Sequence, residues 1–407
     1  MDTRLRYVSY LFYVLILIYA IGCSSGSDDD DSDDYEPRKD YDVLVEYEHL
    51  KTVSVSLIQA TSFLYPELAD ILSGGDPRSV NVYSVTYKTT NVEGEDILAS
   101  GAVLLPISDE VLPLLSYHHG TFTEDLQAPS HYYKGEEVLL AGTLFASLGY
   151  AVVMPDYLGY HVSSDYPHPY EHAKTLASAS FDMLQAAKEL LNEEEININD
   201  KLFLTGYSEG GGATMALHHH IEKNSDWKVS MSAPGGGAYN KTATMTEYLA
   251  LDEEVSVTGN ALLLLYSYDW IYNIDRSWSD YVNPPYVEIL EGISSPLEYK
   301  HADVSLNPKE LMKADFVNGL LDGSDTEFLA ALADNDIYNW SPKYPITLIY
   351  GTADQVVFPV NSESAYLALK ENGAQVNIIP IVDASHSSAY LPYMLLVYEL
   401  FESLKDD

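Results

Sequence analysis

Basic residues are scarce in this 407-residue chain: lysine and arginine together number 21, against 62 aspartates and glutamates. The formal net charge at pH 7 is −41. A surface this negative repels phosphate backbones and anionic lipid headgroups, so the composition excludes nucleic acid as a partner. Apolar residues make up 46% of the chain. The composition is therefore that of a globular protein, and the length allows one large domain or two ordinary ones.

Cysteine is almost absent. Cys23 is the only one in the sequence, so no intramolecular disulfide can form. It follows Arg4, Arg6 and an apolar run from Tyr7 to Ile21, and that run is short for a membrane-spanning helix. A signal peptide is predicted over residues 1–22. The prediction rests on the two N-terminal arginines, the length of the apolar run and the small residues before Cys23.

The residues just before Cys23 resemble the lipobox of bacterial lipoproteins. This resemblance implies cleavage before Cys23, a lipid on its sulfur, and attachment to the outer membrane through that anchor alone. An ordinary cleaved signal with a stray cysteine is the alternative, and both interpretations place the mature protein outside the cytoplasm. Residues 23–44 are too acidic to pack and predict a disordered tether. The tether also resembles the export signal of surface lipoproteins, with a plain linker as the alternative.

From residue 45 onward, strand and helix patterns alternate in what we expect to be one domain, 45–407. Val80–Tyr87 and Ile97–Leu105 predict an antiparallel hairpin, and a later short strand is predicted over Trp227–Met231. The alternation predicts an α/β fold with a mostly parallel central sheet flanked by helices. It is interrupted at about residues 238–340, which predicts a mainly helical insertion. We expect the chain to be monomeric.

A glycine-rich turn lies near the middle of the chain. Gly206-Tyr-Ser208-Glu-Gly210 fits the pattern G-x-S-x-G, with a predicted strand before it and a predicted helix after it. In this setting the serine occupies a strained turn that exposes its hydroxyl, and flanking glycines leave room for that turn. The pattern therefore predicts that Ser208 is a nucleophile.

A serine nucleophile needs a base within hydrogen-bond reach and an acid that orients the base. Asp354 follows one predicted strand and His386 follows the next, in the order Ser, Asp, His. Both loops should open at the carboxyl edge of the sheet, beside Ser208. We therefore expect His386 to be the base and Asp354 the acid. Asp383 is the alternative acid, although its place three residues before His386 suits a turn cap better.

A tetrahedral intermediate also needs two backbone donors. One is expected to be the amide of Glu209, directly after the nucleophile. The other is expected from the loop after the strand that ends near Tyr117, where the Thr121 amide is the first candidate and Gly120 the second. His118 and His119 could instead be metal ligands or bases, but adjacent side chains rarely converge on one point, so we expect both to shape this loop. No metal site is predicted.

Together these segments resemble an α/β-hydrolase, closest to the secretory lipases and esterases. The resemblance covers about residues 80–404 and rests on SYHHGT, PDYLGY, GYSEGG, GTADQVV and DASHSS. It implies hydrolysis of carboxylic esters through an acyl-enzyme without a cofactor, and a cap insertion that shapes the acyl pocket. Glu209 departs from the family pattern, where glycine or a neutral residue is frequent. A carboxylate beside an oxyanion is unfavourable, so we expect its side chain to be paired.

Four aromatic side chains are the candidates for substrate contact. They are His119, Tyr207, Tyr268 and Trp270. The last two lie in the insertion, where packing in the core of the cap is the alternative. The expected substrate is a small ester or an ester of a lipid or a glycan. A serine peptidase of the same fold and a non-catalytic surface-binding lipoprotein remain alternative functions.

Overall fold

The computed structural model describes residues 42–61, 65, 71, 72, 75–133 and 137–405. The predicted signal peptide, Cys23 and most of the acidic tether lie outside these residues. Within them, no helix is both long and apolar enough to span a bilayer.

One nine-stranded sheet forms the centre of the described part of the chain. Its strands are β1 (Leu44–Val53), β2 (Val80–Thr90), β3 (Asp96–Pro106), β4 (Leu112–His118), β5 (Ala151–Pro155), β6 (Ile198–Tyr207), β7 (Met231–Gly235), β8 (Ile346–Gly351) and β9 (Val376–Ile381). Their order across the sheet is β1-β2-β3-β5-β4-β6-β7-β8-β9. Strands β4 to β9 run parallel to their neighbours among themselves, and β1 to β3 are antiparallel. The predicted hairpin is confirmed as β2 and β3.

The strand predicted over Trp227–Met231 is wrong in position, because β7 begins at Met231 and ends at Gly235. Pro234 and Gly235 look like strand breakers in the sequence. Pro234 nevertheless lies opposite Gly206, and Gly235 is paired with both Tyr207 and Ile349. The two residues therefore belong to the sheet, directly beside the turn that carries Ser208.

Helices cover both faces of the sheet and pack on it through apolar side chains. They are α1 (Val55–Thr61), α2 (Thr143–Ser147), α3 (Ala173–Glu193), α4 (Glu209–Asn224), α12 (Val360–Glu371) and α13 (His386–Lys405). One face is filled by a core cluster that includes Phe145, Phe203 and Phe401, and the other by a cluster that includes Met183 and Leu217. Helix α2 is preceded by one π-helical turn at Val138–Gly142.

The segment between β7 and β8, which the structure describes throughout, is helical. It holds α5 (Lys241–Ala250), α6 (Thr258–Ile271), α7 (Trp278–Tyr281), α8 (Tyr286–Glu291), α9 (Pro308–Leu311), α10 (Ala314–Asp322) and α11 (Thr326–Asp334). It has its own apolar core, centred on Leu262, Leu265 and Phe328. We refer to α5–α11 and their connections as the cap. Because the cap follows β7, it leaves the sheet at the edge where Ser208 lies.

Candidate active site

Ser208 lies on a sharp turn between β6 and α4. Its backbone has φ 62° and ψ −124°, a conformation that a non-glycine residue adopts only at a cost. Its amide donates a hydrogen bond to the carbonyl oxygen of Gly235, 3.0 Å away. Helix α4 begins directly after it, so the positive end of the helix dipole lies at the serine. This is the strand–turn–helix setting that the G-x-S-x-G pattern predicts.

The two flanking glycines are required by close packing of backbone. A β-carbon on Gly206 would collide with the carbonyl oxygens of Gly210 and His118, and one on Gly210 would collide with the carbonyl of His118. Backbone atoms cannot move aside as the end of a side chain can. Any side chain at either position would therefore displace the turn or β4.

Three side chains form one continuous chain of hydrogen bonds. His386 Nε2 lies 2.9 Å from Ser208 Oγ, and His386 Nδ1 lies 2.6 Å from Asp354 Oδ2. The other oxygen of Asp354 accepts from the amides of Val356 and Val357, at 2.8 and 2.9 Å. The aspartate is buried and its orientation is fixed, whereas Ser208 and His386 are partly exposed. The arrangement allows His386 to take a proton from the Ser208 hydroxyl.

Asp383, the alternative acid, does not bond to the imidazole. Its side chain is exposed, its backbone has φ 57°, and its amide donates to the hydroxyl of Thr352 at 2.8 Å. Asp383 thus lies at a turn of the loop after β9. Of the two candidates, the structure brings only Asp354 to His386.

The loop after β4 lies against the nucleophile. A β-carbon on Gly120 would be 3.5 Å from Ser208 Cβ. The amide of Gly120, the second oxyanion candidate, already donates to the carboxylate of Glu137 at 3.0 Å. In the described part of the chain, the amides of Thr121 and Glu209 have no such acceptor. This geometry favours Thr121 over Gly120 as the second donor.

His119 and Tyr207 contact the loops of the site and do not line its cavity. His119 is buried, and its ring stacks on Phe122 with centroids 4.2 Å apart. The hydroxyl of Tyr207 donates to the carbonyl oxygen of His386 at 2.7 Å, and the two rings lie 5.0 Å apart. Among the described residues, neither side chain lines the cavity at Ser208. Their contacts hold the loops that carry Thr121 and His386.

Tyr268 and Trp270 are not brought together with Ser208. Tyr268 is fully buried in the core of the cap, where its hydroxyl donates to the carbonyl oxygen of Glu171 at 3.1 Å. Trp270 packs against Tyr166, with ring centroids 5.5 Å apart. Among the described residues, neither lines the cavity. The placement of Tyr268 matches the alternative interpretation, packing in the core of the cap, whereas Trp270 packs on a residue outside the cap.

Glu209 is paired, as its position beside the nucleophile led us to expect. Its Oε1 atom lies 2.8 Å from His168 Nε2, and both side chains are buried. The other ring nitrogen of His168 lies 2.8 Å from the carbonyl oxygen of Leu158. Both nitrogens thus face acceptors, an arrangement that a doubly protonated ring satisfies. The pair is therefore an ion pair that draws the carboxylate of Glu209 toward His168.

The pKa shifts agree with this assignment. Burial alone would lower the pKa of His168, but the charge of Glu209 and its hydrogen bond outweigh burial and raise it. Burial alone would raise the pKa of Glu209, but the charge and hydrogen bond of His168 lower it. The raised pKa of His168 gives stability that is complete below 6.5 and is lost as the pH rises through the folded-state value. The lowered pKa of Glu209 gives stability that is complete above 4.5 and is lost as the pH falls.

We expect a Glu209→Gln/His168→Gln double variant to lose this pH dependence. The difference in unfolding free energy between wild type and double variant should be greatest between pH 4.5 and 6.5 and should decrease on either side. Urea unfolding followed by circular dichroism from pH 4 to 9 measures it. Replacing the exposed pair of His131 and Asp125 with glutamine and asparagine is the matched control and should give a small difference. A difference independent of pH in the test variant would contradict the ion pair.

Three further residues at the site do not belong to any motif in the sequence. Glu171 and Lys241 line the cavity at Ser208, and His168 pairs with Glu209. Glu171 and Lys241 are 70 residues apart along the chain, and His168 and Glu209 are 41 apart. No local spacing in the sequence could therefore reveal these pairs. In the described part of the chain, no cluster of three or more histidine, cysteine or acidic side chains is arranged to hold a metal ion.

The sequence model of the secretory lipase family matches residues 127–247, which include Ser208. A putative hydrolase from Legionella pneumophila is 28% identical in sequence, with a TM-score of 0.79 over 89% of this chain and 98% of that one. The rice cell wall degrading esterase LipA from Xanthomonas oryzae is 25% identical, with a TM-score of 0.77 over 89% and 97%. The chain has the α/β-hydrolase fold.

Candida antarctica lipase A shares this fold at 16% identity, with a TM-score of 0.62 over 89% of this chain and 82% of that one. Among curated protein sequences, none matches the chain significantly. The predicted fold class is confirmed, and the matches to the lipase family and to the two hydrolases support a hydrolase of the lipase and esterase type.

Proposed function

We propose that this α/β-hydrolase cleaves carboxylic esters through an acyl-enzyme on Ser208. The observation that carries the proposal is the hydrogen-bonded chain from Ser208 Oγ through His386 to Asp354. Ester hydrolysis needs a nucleophile, a base that becomes an acid, and donors for the oxyanion, and the site offers a candidate for each. The likeness to secretory lipases and to an esterase supports esters as the substrate class.

In the first half of the reaction, Ser208 Oγ attacks the ester carbonyl while its proton moves to His386 Nε2. The carbonyl oxygen becomes an oxyanion, which the amides of Thr121 and Glu209 stabilise. Asp354 holds the proton of His386 on Nδ1 and stabilises the imidazolium. The intermediate collapses when the bond to the alcohol oxygen breaks and His386 gives the proton to that oxygen. The alcohol leaves and the acyl group stays on Ser208.

In the second half, water replaces the alcohol. His386 takes a proton from the water as its oxygen attacks the acyl carbon, and the same two amides hold the second oxyanion. Collapse returns the proton to Ser208 Oγ and releases the carboxylic acid. No step requires a cofactor. The buried ion pair contributes because the positive charge of His168 offsets the negative charge of the Glu209 side chain, which follows the nucleophile directly.

A comparison of two substrate series tests this proposal. p-Nitrophenyl acetate, butyrate and octanoate report esterase activity, and aminoacyl p-nitroanilides report amidase activity with the same chromophore. We expect kcat/KM for the best ester to exceed that for the best anilide by more than about 1000-fold, since p-nitrophenyl esters are the more reactive series. Turnover dominated by the anilides would instead identify a serine peptidase. Binding without turnover of either would identify a surface-binding protein.

We further propose that the mature protein is extracytoplasmic and lipid-anchored through Cys23, at the cell surface. The sequence around Cys23 and the likeness to secreted lipases support this location. We expect Cys23→Ala to move the protein from the membrane fraction to the soluble fraction, which immunoblotting of fractionated cells measures. Cys23 lies in the tether, so activity on p-nitrophenyl butyrate should not change. Unchanged membrane association of the variant would contradict the lipid anchor.

A further inference from the structure

A cavity of about 50 Å³ lies between Ser208 and the cap. Cap side chains, among them Met245, Val257 and Leu264, form an apolar wall. Most of the residues around the cavity are buried, and the cavity is partly open to solvent. In the proposed reaction the acyl group remains bound to Ser208 while the alcohol departs. A mostly buried, largely apolar space beside Ser208 therefore suits the acyl half of the substrate.

The lining of the cavity also contains a buried ion pair. Lys241 Nζ lies 2.6 Å from Glu171 Oε2, and the two residues are 2% and 4% exposed. Burial raises the pKa of Glu171, against the lowering effect of the lysine charge. Taking two charges out of water costs several kcal/mol per ion, and their mutual attraction does not always offset that cost. A purely apolar pair would fill the same wall without this penalty.

Two further features make the ion pair unfavourable for folding. Lys241 is the first residue of α5, where the positive end of the helix dipole repels a cation. Glu171 has φ 56°, in the left-handed region that non-glycine residues rarely adopt. Strained backbone and buried charge at one place are typical of a site that binds a ligand.

The pair retains unused hydrogen-bonding capacity at the cavity. The ammonium group of Lys241 has three donors, of which one goes to the carbonyl oxygen of Ala238 and one faces Glu171. The carboxylate of Glu171 meets no donor other than this ammonium group among the described residues. A donor and an acceptor thus lie side by side in a wall of the cavity at Ser208.

We propose that the acyl group of the substrate carries a hydroxyl group that binds to Lys241 and Glu171. This inference rests on the proposed ester hydrolysis. A hydroxyl group can accept from the ammonium group and donate to the carboxylate at once. A carboxylate on the acyl chain would be repelled by Glu171, and an amine by Lys241. An unsubstituted alkyl chain would cover the remaining donor of Lys241 and the remaining acceptor of Glu171 without offering either a hydrogen bond.

The test measures a preference ratio, kcat/KM for a hydroxylated ester divided by that for its unsubstituted parent. Methyl butanoate and hexanoate are compared with methyl 3-hydroxybutanoate, 3-hydroxyhexanoate and 6-hydroxyhexanoate by titration of the released acid. We expect a ratio of about ten or more at one or more chain lengths, the effect of one hydrogen bond to a charged group. A third series, with the hydroxyl group on the alcohol half of a butanoate ester, should give a ratio near one.

Variants of Glu171 and Lys241 test whether this ion pair causes the preference for hydroxylated acyl groups. The neutral double variant Glu171→Gln/Lys241→Met should lower the ratio about tenfold, toward one. The exposed cap pair of Lys309 and Asp252 has the same 2.6 Å separation, and its Lys309→Met/Asp252→Asn variant is the matched control that should keep the wild-type ratio. If the test variant does not fold, the wild-type ratios still decide the question.

The outcomes separate this inference from the proposed function. If the protein hydrolyses the esters but every preference ratio in the acyl series is one or less, the hydroxyl site is contradicted and the proposed esterase activity is not. A ratio that persists in the double variant, or a gain confined to hydroxylated alcohols, overturns it as well. Calorimetric binding of the same esters to Ser208→Ala measures the preference without turnover. Preferential binding of hydroxylated acyl esters there, with no turnover by wild type, would support the hydroxyl site and contradict the esterase.

Discussion

Ser208→Ala lowers kcat for p-nitrophenyl butyrate by about 10⁵-fold in our account, because no other group can form the acyl-enzyme. Ser208 Oγ is the atom that His386 Nε2 contacts, at 2.9 Å. Alanine removes this oxygen and leaves the turn, the Gly235 contact of the backbone amide and the oxyanion donors in place. Residual activity then comes only from binding and from the two amides. Stopped assays at high enzyme concentration measure the remaining rate.

A second serine-to-alanine variant, at an exposed position away from the site, is the control for Ser208→Ala. Ser403 lies exposed on α13, far along the helix that begins at His386. Ser403→Ala should leave kcat within about twofold of wild type, as expected for a surface substitution. Loss of less than tenfold in Ser208→Ala would mean that another nucleophile or a bound water carries the reaction.

Asp354→Asn has the second largest expected effect, a decrease in kcat of about 10⁴-fold. The asparagine amide can place its NH₂ group toward His386 Nδ1, which then accepts a hydrogen bond and carries no proton. The proton moves to Nε2, so the ring can no longer take the proton of Ser208. The carbonyl oxygen of asparagine can still accept from Val356 and Val357, so the loop should keep its conformation.

Asp383→Asn is the control for this variant. The two aspartates lie on neighbouring loops at the same edge of the sheet, but only Asp354 contacts the imidazole. We expect Asp383→Asn to retain kcat within about threefold. Steady-state kinetics of both variants beside wild type, with thermal unfolding to verify folding, distinguish them. Equal losses in the two variants would contradict the assignment of Asp354 as the acid.

The sequence predicted those features whose physics is local. The turn at Ser208 needs glycines at fixed offsets, because His118 and Gly210 approach too closely for a β-carbon. Asp354 and His386 each follow a strand of a parallel sheet, and parallel strands end at the same edge. Short-range patterns therefore sufficed to predict that three distant side chains meet. The alternation of strands and helices predicted the fold class because it too is a short-range pattern.

Features set by tertiary contacts could not be predicted. Strand β7 continues through Pro234 because its neighbours β6 and β8 are in place on both sides. Helix α6 carries apolar residues on all sides, so the sequence could not show which of them face the cavity, and Tyr268 faces the core of the cap. Lys241 begins α5 and Glu171 precedes α3, so only the tertiary fold brings them together. Such a pair has no signature in the spacing of residues.

Mass spectrometry of the protein after reaction with a fluorophosphonate tests the central claim, a nucleophilic serine at the turn, most directly. We predict one adduct per molecule on the peptide that contains Ser208, formed in step with the loss of esterase activity. The Asp354→Asn variant should react much more slowly, and Asp383→Asn at the wild-type rate. An adduct on another residue, or an unlabelled protein that still hydrolyses esters, would contradict the account.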